Sequence, residues 1–132
     1  MQIGDTYEVK KTVTEQMTAA TVGSGALNVF GTPYLVAMME EAALTYMQGF
    51  LSEGKSTVGT QINIAHVSPT PVGMEVRAIA EVAAISENGK IVDFKVTAYD
   101  EAGLIAEGTH QRAIISTERF LSKCRGKLSK EN

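Results

Sequence analysis

The spacing of apolar residues changes character near residue 55. From there on it has period two: Val58, Thr60, Ile62, Ile64 and His66 alternate with Gly59, Gln61, Asn63 and Ala65, as side chains on opposite faces of a strand must. This run stops at "SPTPVGM", whose prolines and glycine cannot continue a central strand. A second run over residues 74–85 ends at "ENGK", where Asn88-Gly89 predicts a tight hairpin. Its partner starts at Ile91 and sets Val92, Phe94, Val96 and Ala98 against Asp93, Lys95, Thr97 and Tyr99, one side packed and one wet. "DEAG" turns the chain into a last strand over residues 104–117. Ahead of these, residues 7–14 read as a short edge strand, and the Thr-, Gly- and Ala-rich residues 18–28 as loop.

Between the two halves lies "GTPYLVAMMEEAALTYMQGFL", residues 31–51. Thr32 is placed to cap a helix, Pro33 suits its first position, and no glycine follows until Gly49, with Gly54 marking the exit. The predicted class is α+β, a meandering antiparallel sheet laid on one long helix too apolar to sit on the surface. A single domain is expected over residues 1–122, followed by a solvated basic tail over residues 123–132 with Lys123, Arg125, Lys127 and Lys130.

The helix contains two adjacent glutamates. Positions three, four and seven away are neighbours on a helix, so Glu41 shares its face with Thr45, Gln48 and Ser52, and reads as solvated. Glu40 has Tyr34, Val36, Ala37, Ala43, Leu44 and Met47 around it. A carboxylate desolvated there needs hydrogen bonds, an ion pair or a chemical role. Possible partners lie on the strands. His66 shares a predicted face with Val58, Ile62 and Ile64, and the last strand sets Leu104, Ala106, Gly108, His110, Arg112 and Ile114 on one side. Gly59 and Gly108 are bare positions that mark either bulges or room for a ligand to reach the backbone. Thr32 and Glu40 are eight helical residues apart, roughly 12 Å along the axis, so a site using both is wide, wraps round a substrate, or is completed by another subunit.

Composition narrows the classes. The 132 residues include 44% hydrophobic and 20% charged residues with a net charge of −3, which fits one ordinary globular core and argues against nucleic acid as partner. The lone Cys124 can form no internal disulfide, and "MQIGDTYEVK" lacks a signal-peptide pattern; a cytoplasmic location is expected. Polar residues, glycines and Pro33 break up the longest uncharged run, so no membrane span is expected, and no metal or cofactor either.

The order strand, loop, long helix, antiparallel strands resembles the hotdog fold. More narrowly, "VFGTPYLVAMMEEA", "VGTQINIAHVSPTPVGM" and "AEGTHQRAII" resemble segments of the fluoroacetyl-CoA thioesterase family, and the likeness runs from about Ile3 to Lys123. The resemblance implies an acyl-CoA thioesterase, homodimeric, with a catalytic set matching Thr32, Glu40 and His66. It also implies that the N–H of Gly59 meets the thioester carbonyl and that Arg112 lies at the substrate. The fluoroacetate-selective member has phenylalanines in a lid before the helix, where this chain has "TAATVGSGALNVF" with only Phe30; a general acyl thioester is therefore expected. An acyl-CoA hydratase or dehydratase on the same architecture and a non-catalytic acyl-thioester binder remain as alternatives.

Overall fold

A computed structural model describes residues 1–129. Strand β1 (Thr6–Thr12) is followed by a short helix α1 (Ala19–Val22) and the long helix α2 (Thr32–Gln48). Strands β2 (Lys55–His66), β3 (Glu75–Ile85), β4 (Ile91–Asp100) and β5 (Gly103–Ser116) come next, and helix α3 (Thr117–Arg125) follows directly. All pairings are antiparallel and the sheet order is β1-β3-β4-β5-β2. The expected meander holds only for β3-β4-β5. β2 crosses to the far edge and pairs with β5, and β1, as predicted, is the other edge.

One face of the sheet wraps α2. The helix contributes Leu35, Met38, Met39, Ala42, Ala43 and Met47, each at most 1% exposed, against Val76, Ala78, Ala80, Val82, Val92, Phe94, Val96 and Ala98. At about 1.5–3 kcal/mol for a fully buried large apolar side chain, this interface dominates the stability. Tyr46 also lies in it and sends its hydroxyl to Asp5 Oδ2 at 2.5 Å. Burial and the hydrogen bond push the phenol up to about 12, and the same hydrogen bond holds the Asp5 carboxyl below its usual range although burial opposes it. The start of the chain is thereby tied to the helix.

Several boundaries differ from expectation for local reasons. Residues 18–28 are not all loop: the Thr18 side chain accepts a hydrogen bond from the Thr21 N–H at 3.2 Å, and Gly23 closes α1 in the left-handed conformation at φ 83°. The N-cap of α2 is Gly31, not Thr32, which is its first residue. Gly31 is buried, and a Cβ there would lie 3.1 Å from Ala19 N. The helix ends at Gly49, while Gly54, at φ 85°, serves the turn into β2. Residue 123, where the basic tail is expected to begin, is part of α3, which has no buried residue; of that tail, Lys130 and the two residues after it lie outside the described residues. No described helix is long and apolar enough to cross a membrane.

Two bulges change which side chains face the helix. In β2 the register slips between Gly59 and Gln61, so Gly59 stands opposite Arg112 and Ile62 opposite His110. Thr60 is the extra residue. Thr57 and Gly59 therefore point inward with Ile62, Ile64 and His66, and Val58 does not share their face as alternation alone predicts. In β5 the slip beside Ala98 and Tyr99 buries Ile105 and Ala106 to 1% or less and turns Leu104 outward, 37% exposed.

Candidate active site

The residues singled out in the sequence fall into two groups within one chain. At the start of α2, Thr32 Oγ1 and His66 Nδ1 share a 2.7 Å hydrogen bond. Gly31 and the packed segment 17–19 fix the helix start, and His66 ends β2 beside it. A hollow of about 270 Å³ opens here between Ala19, Phe30, Thr32, His66, Ser68 and Pro69. His66 Nε2 is buried and lacks a hydrogen-bond partner among the described residues, a condition that costs free energy unless something else meets it. Burial also pushes the His66 imidazole below its ordinary pKa, so it is neutral near pH 7.

The second group is built around Glu40. A Cβ at position 59 would lie 2.7 Å from Glu40 Oε2, 3.2 Å from His110 Cε1 and 3.3 Å from Arg112 Nη1. A side chain here would displace the Glu40 carboxylate, and the bareness of glycine lets that carboxylate approach the β2 backbone. Glu40, Gly59, Thr60, Gln61, Ile62 and His110 line a second hollow, also about 270 Å³. The other bare position has a different cause: a Cβ on Gly108 would strike Asn63 O and lie 2.7 Å from Ile64 Cα. It serves close approach of β5 to β2, not of a ligand.

The expected desolvation of Glu40 is not found. Its side chain is 41% exposed and that of Glu41 45%, because the apolar neighbours on this part of α2 are themselves partly open: Val36 and Leu44 are half-buried and Ala37 is exposed. What separates the two glutamates is the company other elements bring. Glu41 pairs with Lys11 of β1 at 3.3 Å. Glu40 faces Arg112 Nη1 at 3.8 Å, an ion pair too long for a hydrogen bond.

Arg112 is 5% exposed, and the protein itself occupies most of its donors. Nε donates to Thr57 Oγ1 at 2.8 Å and Nη2 to Thr57 O at 3.0 Å. Nη1 reaches His110 Nε2 at 3.3 Å. His110 was visible in the sequence only as a polar interruption of the inward face of β5, and the structure places it in the cluster, 2% exposed. Its Nδ1 lies 2.8 Å from Gln61 O. A carbonyl can only accept, so Nδ1 carries the proton and Nε2 is left to accept from Arg112. Burial, reinforced by Arg112 and opposed by the Gln61 carbonyl and Glu40, pushes His110 below the ordinary histidine value. Burial also lowers Arg112, with Glu40 opposing. The result is one carboxylate held beside a bare strand by a fixed, neutral-backed guanidinium, an arrangement able to act on a carbonyl. No group of histidine, cysteine and acidic residues among the described residues is arranged to hold a metal ion.

These features have counterparts in known proteins. The profile of the family described as "FlK: Fluoroacetyl-CoA-specific thioesterase" matches residues 13–118. The fluoroacetyl-CoA thioesterase of Streptantibioticus cattleyicolor is 36% identical over 99 residues, 75% of this chain and 70% of that protein. A crystal structure of a single-site variant of FlK superposes with a TM-score of 0.90 at 31% identity, covering 96% of this chain and 97% of that one. The same variant in complex with fluoroacetate and CoA gives 0.85 at 30% identity, covering 91% and 99%. A Thermus thermophilus protein described as a thioesterase superfamily member gives 0.87 at 27%, covering 98% and 94%. The chain belongs to the fluoroacetyl-CoA-specific thioesterase family.

Proposed function

We propose that the protein hydrolyses acyl-CoA thioesters to a carboxylic acid and free CoA, with Glu40 attacking the thioester carbonyl directly or activating the water that does. The observation that carries this is the 2.7 Å between Glu40 Oε2 and the place a Cβ would take at Gly59. It sets the carboxylate against the bare stretch of β2 at the edge of the hollow lined by Glu40, Gly59, Gln61 and His110, where a thioester carbonyl would meet the carboxylate from one side and the Gly59 N–H, as oxyanion donor, from the other. In direct attack, a Glu40 oxygen bonds to the carbonyl carbon, the tetrahedral intermediate expels the CoA thiolate, and water cleaves the resulting anhydride. In the other route Glu40 takes a proton from water as the oxygen of that water attacks. Arg112 stays charged and moves no proton; it orients Glu40 and, through it, the substrate.

Thr32 and His66 are assigned to the same reaction, but Thr32 lies eight helical residues from Glu40 and His66 stays beside Thr32. A second copy resolves the separation. β2 is the outer strand of the sheet beyond β5, and an uncovered edge is a template for pairing. Antiparallel pairing of two β2 strands near Ile62 and Asn63 would bring Gly59 of one protomer close to His66 of its partner, since the two lie on either side of that point. The site is then shared, with Thr32 and His66 from one protomer facing Glu40 and Gly59 from the other, and His66 Nε2 meeting the substrate or its water.

The test is release of free thiol from a panel of acyl-CoAs, with light scattering on the same sample. Thiol release by a dimer is the expected outcome. Change at the double bond of an enoyl-CoA without thiol release would instead identify a hydratase, and tight binding without turnover a non-catalytic binder. Mass spectrometry of enzyme quenched during turnover shows whether Glu40 carries the acyl group, which separates the two routes.

A further inference from the structure

The basic end of the chain forms part of a pocket. α3 brings Arg119, Phe120 and Lys123 against Lys55 at the start of β2, Lys90 after the β3-β4 turn, and Ile114 of β5, around a hollow of about 300 Å³. Four cations from three separate parts of the chain converge there, in a protein of net charge −3. None of the four has a carboxylate within ion-pair distance among the described residues; the ion pairs present involve Lys10, Lys11, Arg77 and Arg112. Uncompensated like charges repel, and their grouping costs stability unless an anion joins them. The floor is not polar: Ile114 packs on the core, and the Phe120 ring, 41% exposed, is open to solvent. Cations round an open aromatic ring suit a nucleoside phosphate, whose base stacks and whose phosphates pair. Arg119, Phe120 and Lys123 lie beyond the family match, which stops at residue 118.

The geometry points to this basin as the seat of the adenosine phosphate end of the acyl-CoA substrate, an inference that rests on the acyl-CoA reading above. Its place fits that task. Lys55 is four residues along β2 from Gly59, roughly 13 Å at 3.3 Å per residue, and Ile114 is two residues along β5 from Arg112 on the same face. Thr57 and Arg112, each 5% exposed, close the direct path between the two, so a substrate with its thioester at Glu40 and Gly59 carries its pantetheine arm over the surface and ends with its phosphates among the cations. The family resemblance leads to the reacting carbonyl; α3 adds a grip on the far end of the molecule. An acidic carrier protein would also answer positive charge, but it would not use a pocket with an aromatic floor.

The experiment compares acyl-CoA with the same acyl group on pantetheine, which lacks the nucleotide, for wild type, for the double variant Arg119→Glu with Lys123→Glu, and for Lys90→Glu, which leaves α3 untouched. The expected result is a KM for acyl-CoA raised roughly tenfold in both variants at unchanged kcat, with the KM for acyl-pantetheine unmoved. Adenosine 3′,5′-bisphosphate should inhibit the wild type competitively against acyl-CoA and lose potency in both variants. Equal effects on the two substrates, or no effect on either, would overturn the assignment, as would a loss confined to carrier-linked thioesters. If the wild type does not hydrolyse acyl-CoA at all, the proposed function fails separately, and direct binding of adenosine 3′,5′-bisphosphate still decides the basin: binding that the variants abolish supports it, and none overturns it.

Discussion

Glu40 and Glu41 are adjacent in sequence and nearly equal in exposure, yet they meet different surroundings. The helical neighbour list singled out Glu40 by predicting a dry environment, and that prediction fails because much of the outer α2 surface is open in the single chain. The distinction comes from β2 and β5, which bring Gly59, His110 and Arg112 to Glu40, while β1 brings Lys11 to Glu41. Glu40→Gln keeps the shape and removes the charge, so steady-state thiol release should fall by roughly 10² to 10⁴-fold, the scale of a positioned acid–base group. Glu41→Gln breaks a half-exposed ion pair, which contributes about 1 kcal/mol at most, and should hydrolyse at the wild-type rate. Similar rates for the two folded variants would remove Glu40 from the mechanism and leave its ion pair with Arg112 as structural. His110 could not be assigned a role from sequence, since a single inward histidine on a strand is usually a satisfied core residue; its partners, Gln61 and Arg112, become visible only when strand pairing is known.

At the level of elements, α2 and the strands were readable because each has a sustained period: Pro33 starts the helix, Gly49 stops it, and Asn88-Gly89 makes its hairpin. What could not be read are features that depend on a partner strand. A bulge such as that at Thr60 or Ile105 leaves composition unchanged and shows only as a slip in pairing, so Val58 and Leu104 were expected on the wrong faces. α1 was missed because four residues do not establish a period, although Thr18 and Gly23 carry its caps. Gly108 shows the same dependence, since its need for a missing side chain comes from Asn63 and Ile64 across the β2-β5 pair. Gly108→Ala should push these strands apart and cost about 3 kcal/mol or more, at the upper end of overpacking effects. Thermal unfolding should show this as a Tm lowered by roughly 10 °C. An unchanged Tm would mean that the β2-β5 spacing can relax.

For the whole molecule, two histidines couple stability to pH. Burial depresses both His66 and His110, and on unfolding each returns to the ordinary value near 6.5. The unfolded chain then binds more protons than the folded one as the pH drops below about 6.5. Stability is full above that value and is lost as the pH falls through the folded-state values. Around His110 the charged neighbours are Arg112 and Glu40, and protonation would remove the lone pair that accepts from Arg112 while placing a second cation beside it. The Tm measured by calorimetry should be level from pH 8 to 7 and decline from pH 6.5 to 5. A Tm that rises over that acidic interval would show that the folded histidines bind protons more tightly than the free side chain.

Gly59 and His66 are seven positions apart, an odd number, and in a regular strand they would look out from opposite sides of the sheet. They look the same way because Thr60 is inserted between them. Its own side chain is exposed and, among the described residues, bonds to Gln111, through Oγ1 at 2.9 Å to Oε1 and 3.2 Å to the carbonyl, so small polar replacements at that position should be harmless. Deleting it would rotate everything on one side of it by half a turn. What inheritance must preserve here is a length and not a letter: a comparison of variants by substitution alone would score position 60 as unimportant, although the common facing of Gly59 and His66 depends on it.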